Sequence, residues 1–169
     1  MQIKNKVKKS GLIQLNLEDW IDESKIRAYD ISENLFQGLV LKEKDFRQFV
    51  KQNDWSTYQD AIVYIHDSSN SIIPSWSYML LTLALQPYAD SIYFSNKEGL
   101  KEKIILTKIS NLDLELYRDS KVVIKGCSRF ELTNDVYIQL TRCLAPVVSS
   151  LMFGEPCSTV PLYKKAKKR

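Results

Sequence analysis

Ala61-Ile62-Val63-Tyr64-Ile65-His66-Asp67-Ser68-Ser69-Asn70 decides how this chain is read. Its first five residues are apolar and rich in β-branched side chains, and a polar loop stops them, which is the form of a buried strand. Pro74 then suits the first turn of a helix. That helix runs through Trp76, Met79, Leu80, Leu83 and Ala84, with Leu81 and Leu85 on another face. A helix apolar on most sides is expected to be buried. It stops near Pro87, and Ser91-Ile92-Tyr93-Phe94 predicts the next strand.

The same alternation continues toward the C-terminus. Asn96 can cap a helix that begins Lys97-Glu98. Lys121-Val122-Val123-Ile124-Lys125 predicts a strand broken by Gly126. Thr133 can cap a further helix, on which Val136, Leu140, Cys143, Leu144 and Val147 share one face. Ser149 to Phe153 predicts a short strand ended by Gly154. Upstream, Leu12 to Leu17 alternates as a strand does, and Asp19 to Ser24 is acidic and turn-like. Ile26 to Ile31 fits a strand or a short helix. Phe46, Phe49 and Val50 predict an amphipathic helix over Lys42 to Gln52.

Repeated strand–helix alternation argues for an α/β fold: one three-layer domain over residues 11–163, with a mainly parallel sheet of about four strands. The N-terminal part adds an edge hairpin or a cap. Residues 1–10 form a basic arm and residues 164–169 a basic tail. No internal repeat and no low-complexity segment is legible.

With 169 residues, 44% hydrophobic and 26% charged, the chain has an ordinary globular composition and can bury a core unaided. The net charge of +4 gathers at the ends, in Lys4, Lys6, Lys8 and Lys9, then Lys164, Lys165, Lys167, Lys168 and Arg169. Nucleic-acid binding is therefore not expected, because no basic face is built into the folded part. No apolar run reaches the roughly 18 residues of a membrane span, and the N-terminus lacks the apolar core of a signal peptide. Three scattered cysteines suit a reducing, cytoplasmic setting.

The reactive residues follow predicted strands: His66-Asp67 after the first, Gly126-Cys127-Ser128 after the third, and Gly154-Glu155-Pro156-Cys157 after the fourth. Parallel strands would bring all three to the sheet edge where α/β folds bind ligands. Imidazole and thiolate are ligands for zinc and iron, and thiolates hold iron–sulfur clusters. His66, Cys127 and Cys157 are thus candidate ligands, with Asp67 or Glu155 alongside. Buried thiols and a strand-end histidine explain the same residues without a metal. Cys143 reads as core. No glycine pattern for nucleotide binding is present, so no nucleotide is expected.

Several stretches resemble one family: Leu35-Phe36-Gln37-Gly38-Leu39, Ile73-Pro74-Ser75-Trp76, Ile124-Lys125-Gly126-Cys127-Ser128, and Gly154-Glu155-Pro156-Cys157-Ser158-Thr159-Val160-Pro161-Leu162-Tyr163 among them. Together they resemble an uncharacterised bacterial family, domain of unknown function 2480. The resemblance implies a place beside the machinery that assembles iron–sulfur clusters, and so assembly proteins as partners. It implies no activity. Three readings stay open: an accessory protein of iron–sulfur or metal handling, a cysteine-based sulfur-transfer enzyme, and a non-catalytic interaction module that could be a homodimer.

Overall fold

A computed structural model describes residues 12–126, 129–155 and 158–166. The fold is mixed α/β. The chain divides into two compact units: one holds residues through Ile21 and from Glu102 onward, and Asp22–Lys101 is inserted into it.

The inserted unit contains β2 (Ile26–Asp30), α1 (Glu43–Gln52), β3 (Ile62–His66), α2 (Ser75–Leu85) and β4 (Ser91–Phe94), counting β1 (Leu12–Leu15) as the first strand of the chain. Its sheet has the order β2-β3-β4, all parallel. Val63 and Ile65 point to one face and pack with Ile31, Phe46, Leu81 and Leu85, all nearly sealed from solvent. The undecided segment at Ile26 is a strand because it pairs with β3 along its whole length. α2 differs from expectation. It presents Ser77, Leu81 and Leu85 to the core and leaves Met79 and Leu83 more than two-thirds exposed. Ser77 fits there because its hydroxyl donates to the Pro74 carbonyl, at 2.6 Å.

The outer unit contains β1, most of α3 (Lys97–Ser110), β5 (Lys121–Ile124), α4 (Asn134–Leu144), β6 (Ser150–Glu155) and β7 (Ser158–Lys164). Its sheet, in the order β1-β5-β6-β7, is the expected mainly parallel sheet of four strands; only β7 is antiparallel. Val122, Ile124 and Leu151 meet Leu140 and Leu144 in its core. Asn96 caps α3 by accepting from the Gly99 amide, at 2.8 Å. Thr133 stands at the cap of α4, but its hydroxyl donates to Glu102 instead.

Two expectations need correction. The strands lie in two sheets, not one. Among the described residues β1 and β2 do not pair with each other as a hairpin would: each runs parallel to a strand of a different sheet.

A third correction concerns repeats: none was expected, and the chain carries one. Each unit has one early strand, then helix, strand, helix, strand, in the same sheet order. Ser75–Leu85 matches Asn134–Leu144 at a displacement of 59 residues, and Ser91–Phe94 matches the start of β6 at the same displacement. Asp60 and Asp119 both take positive φ, at 57° and 54°. Both donate their amides across the unit, Asp60 to the Tyr88 carbonyl and Asp119 to Val147. The signature Asp-x-x-x-Tyr-x-Asp-x-x-Val-x-Ile stands at 54–65 and again at 113–124.

Leu81 and Leu140 occupy the same place in the two units, each fully buried. Either Leu→Ala substitution should cost about 2–5 kcal/mol of stability in chemical denaturation, because a cavity is added to the lost burial.

Candidate functional site

The last register position of β2 and β3 pairs Asp30 with His66, so both stand at the C-terminal rim of the inserted sheet. Asp30 Oδ1 accepts from the amides of Ser32 (3.0 Å) and Ser68 (3.2 Å). The two serine hydroxyls are 2.9 Å apart. His66 Nδ1 lies 4.0 Å from Asp30 Oδ2, and its ring stacks on Tyr64. Asp67 Oδ1 accepts from both the amide and the hydroxyl of Ser69. Asp-x-Ser is the common device, in which a short carboxylate closes a turn on the amide two residues on.

Burial alone would raise the Asp30 carboxyl. The hydrogen bonds from Ser68 and Ser32 outweigh it and bring the pKa down to about 2. Asp30 is therefore an anion at neutral pH. The Tyr78 phenol is raised, first by burial and then by the negative charges of Asp67 and Asp30.

Tyr78 also lines a cavity of about 260 Å³ with Ile65, Thr82, Ile92, Tyr93 and Phe94. Thr82 turns its hydroxyl inward to the Tyr78 carbonyl, at 2.8 Å, so the wall it offers is mostly methyl. Tyr78 and Phe94 meet edge to face, 5.3 Å between centroids. Carboxylates near an apolar hollow at the C-terminal end of parallel strands are the ordinary makings of a ligand site.

At the matching rim of the outer unit, Lys125 Nζ and Glu155 Oε2 are 3.5 Å apart across adjacent strands. Glu18, only 6% exposed, accepts from the backbone amide of Arg129 at 2.6 Å and from its Nε at 2.7 Å. Gly154 has φ +120°, and a Cβ there would come within 2.6 Å of the Ser158 carbonyl oxygen, so only glycine fits. Tyr137 and Phe153 repeat the edge-to-face pair at 5.6 Å. Here, however, β7 runs alongside β6, with Tyr163 opposite Leu151 and Val160 opposite Phe153.

A family described as "Protein of unknown function (DUF2480)" matches residues 1–165. The chain belongs to this family. No curated protein and no solved structure matches the chain.

This DUF2480 chain places His66 and Asp67 in the inserted unit and Glu155 in the outer unit. Cys127 and Cys157 lie outside the described residues. The expected gathering of all five on one sheet rim does not hold, because β3 belongs to a different sheet from β5 and β6. Among the described residues, no group of three His, Cys, Asp or Glu side chains is placed to hold a metal ion. Among them, too, no helix is long and apolar enough to cross a membrane. Cys143 is half-buried against the core of the outer unit, as its helix face suggested.

Sequence reading passed over Asp30, Tyr78 and Thr82. For Asp30 a signal existed: Asp-x-Ser recurs at Asp22, Asp30, Asp54 and Asp67, each time as the same turn. Tyr78 and Thr82 could have been found through the repeat, which returns them as Tyr137 and Thr141.

The depressed Asp30 pKa fixes a sign. Its contribution is complete above the ordinary carboxylate value of 3.8 and is lost as pH falls toward about 2. Asp30→Asn should lower stability at neutral pH by about 1–2 kcal/mol and flatten the loss of stability through that acid range. Denaturant midpoints across a pH series read both effects. An unaltered acid slope would contradict the assignment.

Proposed function

We propose that the chain is a binding module, and that its inserted unit receives a ligand in the cavity bounded by α2 and β4. One observation supports this most: an apolar hollow of about 260 Å³ is lined by Ile65 and Phe94, and Ile65 stands next in register to the Asp30–His66 pair at the C-terminal strand ends. Neither Asp30 nor Asp67 is paired with Lys or Arg among the described residues, so negative charge is left at the rim. Such a site favours a ligand with an apolar body and a polar or cationic end. Amide NMR of the full chain with indole as the probe tests it. Shifts should gather at Ile65, Thr82 and Ile92. Thr82→Phe, which fills the hollow, should weaken the response about tenfold, the equivalent of about 1.4 kcal/mol. Scattered shifts, or a Thr82→Phe chain that responds as strongly, would remove this reading.

A second reading is metal or iron–sulfur handling, with zinc, iron or a cluster as cargo and assembly proteins as partners. It would use Cys127 and Cys157 with His66, Asp67 or Glu155, of which Glu155 belongs to the outer unit and His66 and Asp67 to the inserted one. What favours it is that β5 and β6, which lead into the two cysteine segments, are adjacent parallel strands with the Lys125–Glu155 contact just past the one and at the end of the other. Thiolates from neighbouring strand ends are a familiar source of metal ligands. Anaerobic titration with cobalt(II) should give a thiolate-to-metal charge-transfer band that Cys127→Ser abolishes. A full-length chain that shows no such band would rule the reading out.

A further inference from the structure

We infer that the outer stripe of α2 is a self-association face, on which a second copy of this chain lays its own α2 antiparallel. The inference stands apart from the cavity reading and needs no ligand.

The repeat supplies an internal control. α2 and α4 bury the same three positions, Ser77, Leu81 and Leu85 in one helix and Val136, Leu140 and Leu144 in the other. Their outward stripes are equivalent too, and there the sequences part. α4 carries Asp135, Gln139 and Arg142, linked in a row: Arg142 donates to Gln139 Oε1 at 3.0 Å, and Gln139 donates to Asp135 Oδ1 at 3.1 Å. α2 carries Trp76, Leu80 and Leu83 at those places. Only at Met79, matched by Ile138, are both helices apolar. Met79 and Leu83 are 69% and 68% exposed, and Trp76 and Leu80 border them half-buried. A lone exposed leucine is ordinary, but four apolar side chains at i, i+3, i+4 and i+7 form a stripe. Ile72, 94% exposed just ahead of α2, lengthens it. A contiguous apolar patch of this kind marks a contact face.

Charge identifies the occupant. No charged residue lies between Asp67 and Asp90, so the stripe can meet its own copy without setting like charges against each other. The same lack of charge disfavours a lipid surface, because helices that lie on membranes carry Lys and Arg along their polar face. Beyond the stripe, charge returns with opposite sign at the two ends. Near its start the Arg47 guanidinium, also bonded to Glu43, lies over the Trp76 ring, 5.8 Å from the centroid. Past its end the Asp60 amide is held by the Tyr88 carbonyl, and Asp90 follows two residues after Tyr88. Among the described residues neither carboxylate pairs with Lys or Arg. An antiparallel copy brings Arg47 of each chain toward Asp60 and Asp90 of the other, and two-fold symmetry makes that contact twice. It also opposes the two helix dipoles.

The eleven residues of α2 span about 16 Å, a face too small for the roughly 800 Å² per partner of a standard interface. The dimer is therefore a weak one that forms and dissolves with concentration.

Sedimentation equilibrium of the full chain, at concentrations rising to about 1 mM, tests the inference. The average mass should climb from that of one chain toward that of two. Leu83→Arg installs the residue type that the outer unit carries at the same place, Arg142. It should weaken the dimer at least about tenfold, while its denaturation midpoint at high dilution matches that of the unaltered chain. A second readout needs no variant: amide shifts between dilute and concentrated 15N-labelled samples should gather at Trp76, Met79, Leu80 and Leu83. The mass of a single chain at every concentration would overturn the inference. A dimer that a folded Leu83→Arg chain forms equally well, or shifts that gather on β7 instead, would move the contact to another face and overturn it too.

Discussion

Each half of this protein depends on one buried contact, the pressing of two leucines from a crossover helix onto the central strand of a three-strand parallel set. In the inserted unit the leucines are Leu81 and Leu85, and the strand offers Val63 and Ile65. In the outer unit they are Leu140 and Leu144 against Val122 and Ile124. A parallel strand cannot return to its neighbour without a crossover, so this helix is both the connection and the cover. Remove the contact and the sheet loses the layer that shields its face from water.

Where the chemistry can sit follows from that arrangement. Crossovers leave the C-terminal strand ends open, and there Asp30, His66 and Asp67 gather in one unit and Glu18, Lys125 and Glu155 in the other. The two rims have diverged. One holds carboxylates with neighbouring serines and a hollow beside them. The other holds ion pairs and a seventh strand. Glu18 and Asp30 nevertheless play the same part in their units. Each follows or ends the first strand of its sheet and accepts an amide from the loop after the central strand, Arg129 in one case and Ser68 in the other. A carboxylate used in this way orders a loop that would otherwise carry unsatisfied amides.

Much of the fold was legible in the sequence because its signals are local. Ala61 to Ile65, Ser91 to Phe94 and Lys121 to Ile124 announce strands because their apolar runs fit a pleated, buried surface. Phe46 marked the buried face of α1 through its spacing. The partition into two sheets was not legible, since strand pairing is a long-range choice that no run of residues declares. The buried face of α2 was misjudged for a related reason. With Met79, Leu80, Leu81 and Leu83 all apolar, periodicity cannot say which stripe faces the core, and Ser77 hides its polarity in a hydrogen bond to its own turn. The repeat was within reach, for Asp60 and Asp119 sit in matching tight turns and the residues around them recur. Of the candidate site, His66 and Asp67 were found from their place after a strand. Asp30 and the cavity walls needed the pairing of β2 with β3 and of β3 with β4 before they came together.

Two strands separate the halves: among the described residues β6 pairs with a strand on each side, and the only strand that β4 pairs with is β3. Amide hydrogen exchange of the full chain reads this difference directly. The outward amide of Ile92 should exchange fast, while its counterpart Leu151, held between β5 and β7, should be protected at least about a hundredfold more, because exchange there needs local opening of the sheet. Equal protection at Ile92 and Leu151 would mean that the outer edge of β4 is already occupied and would contradict the account.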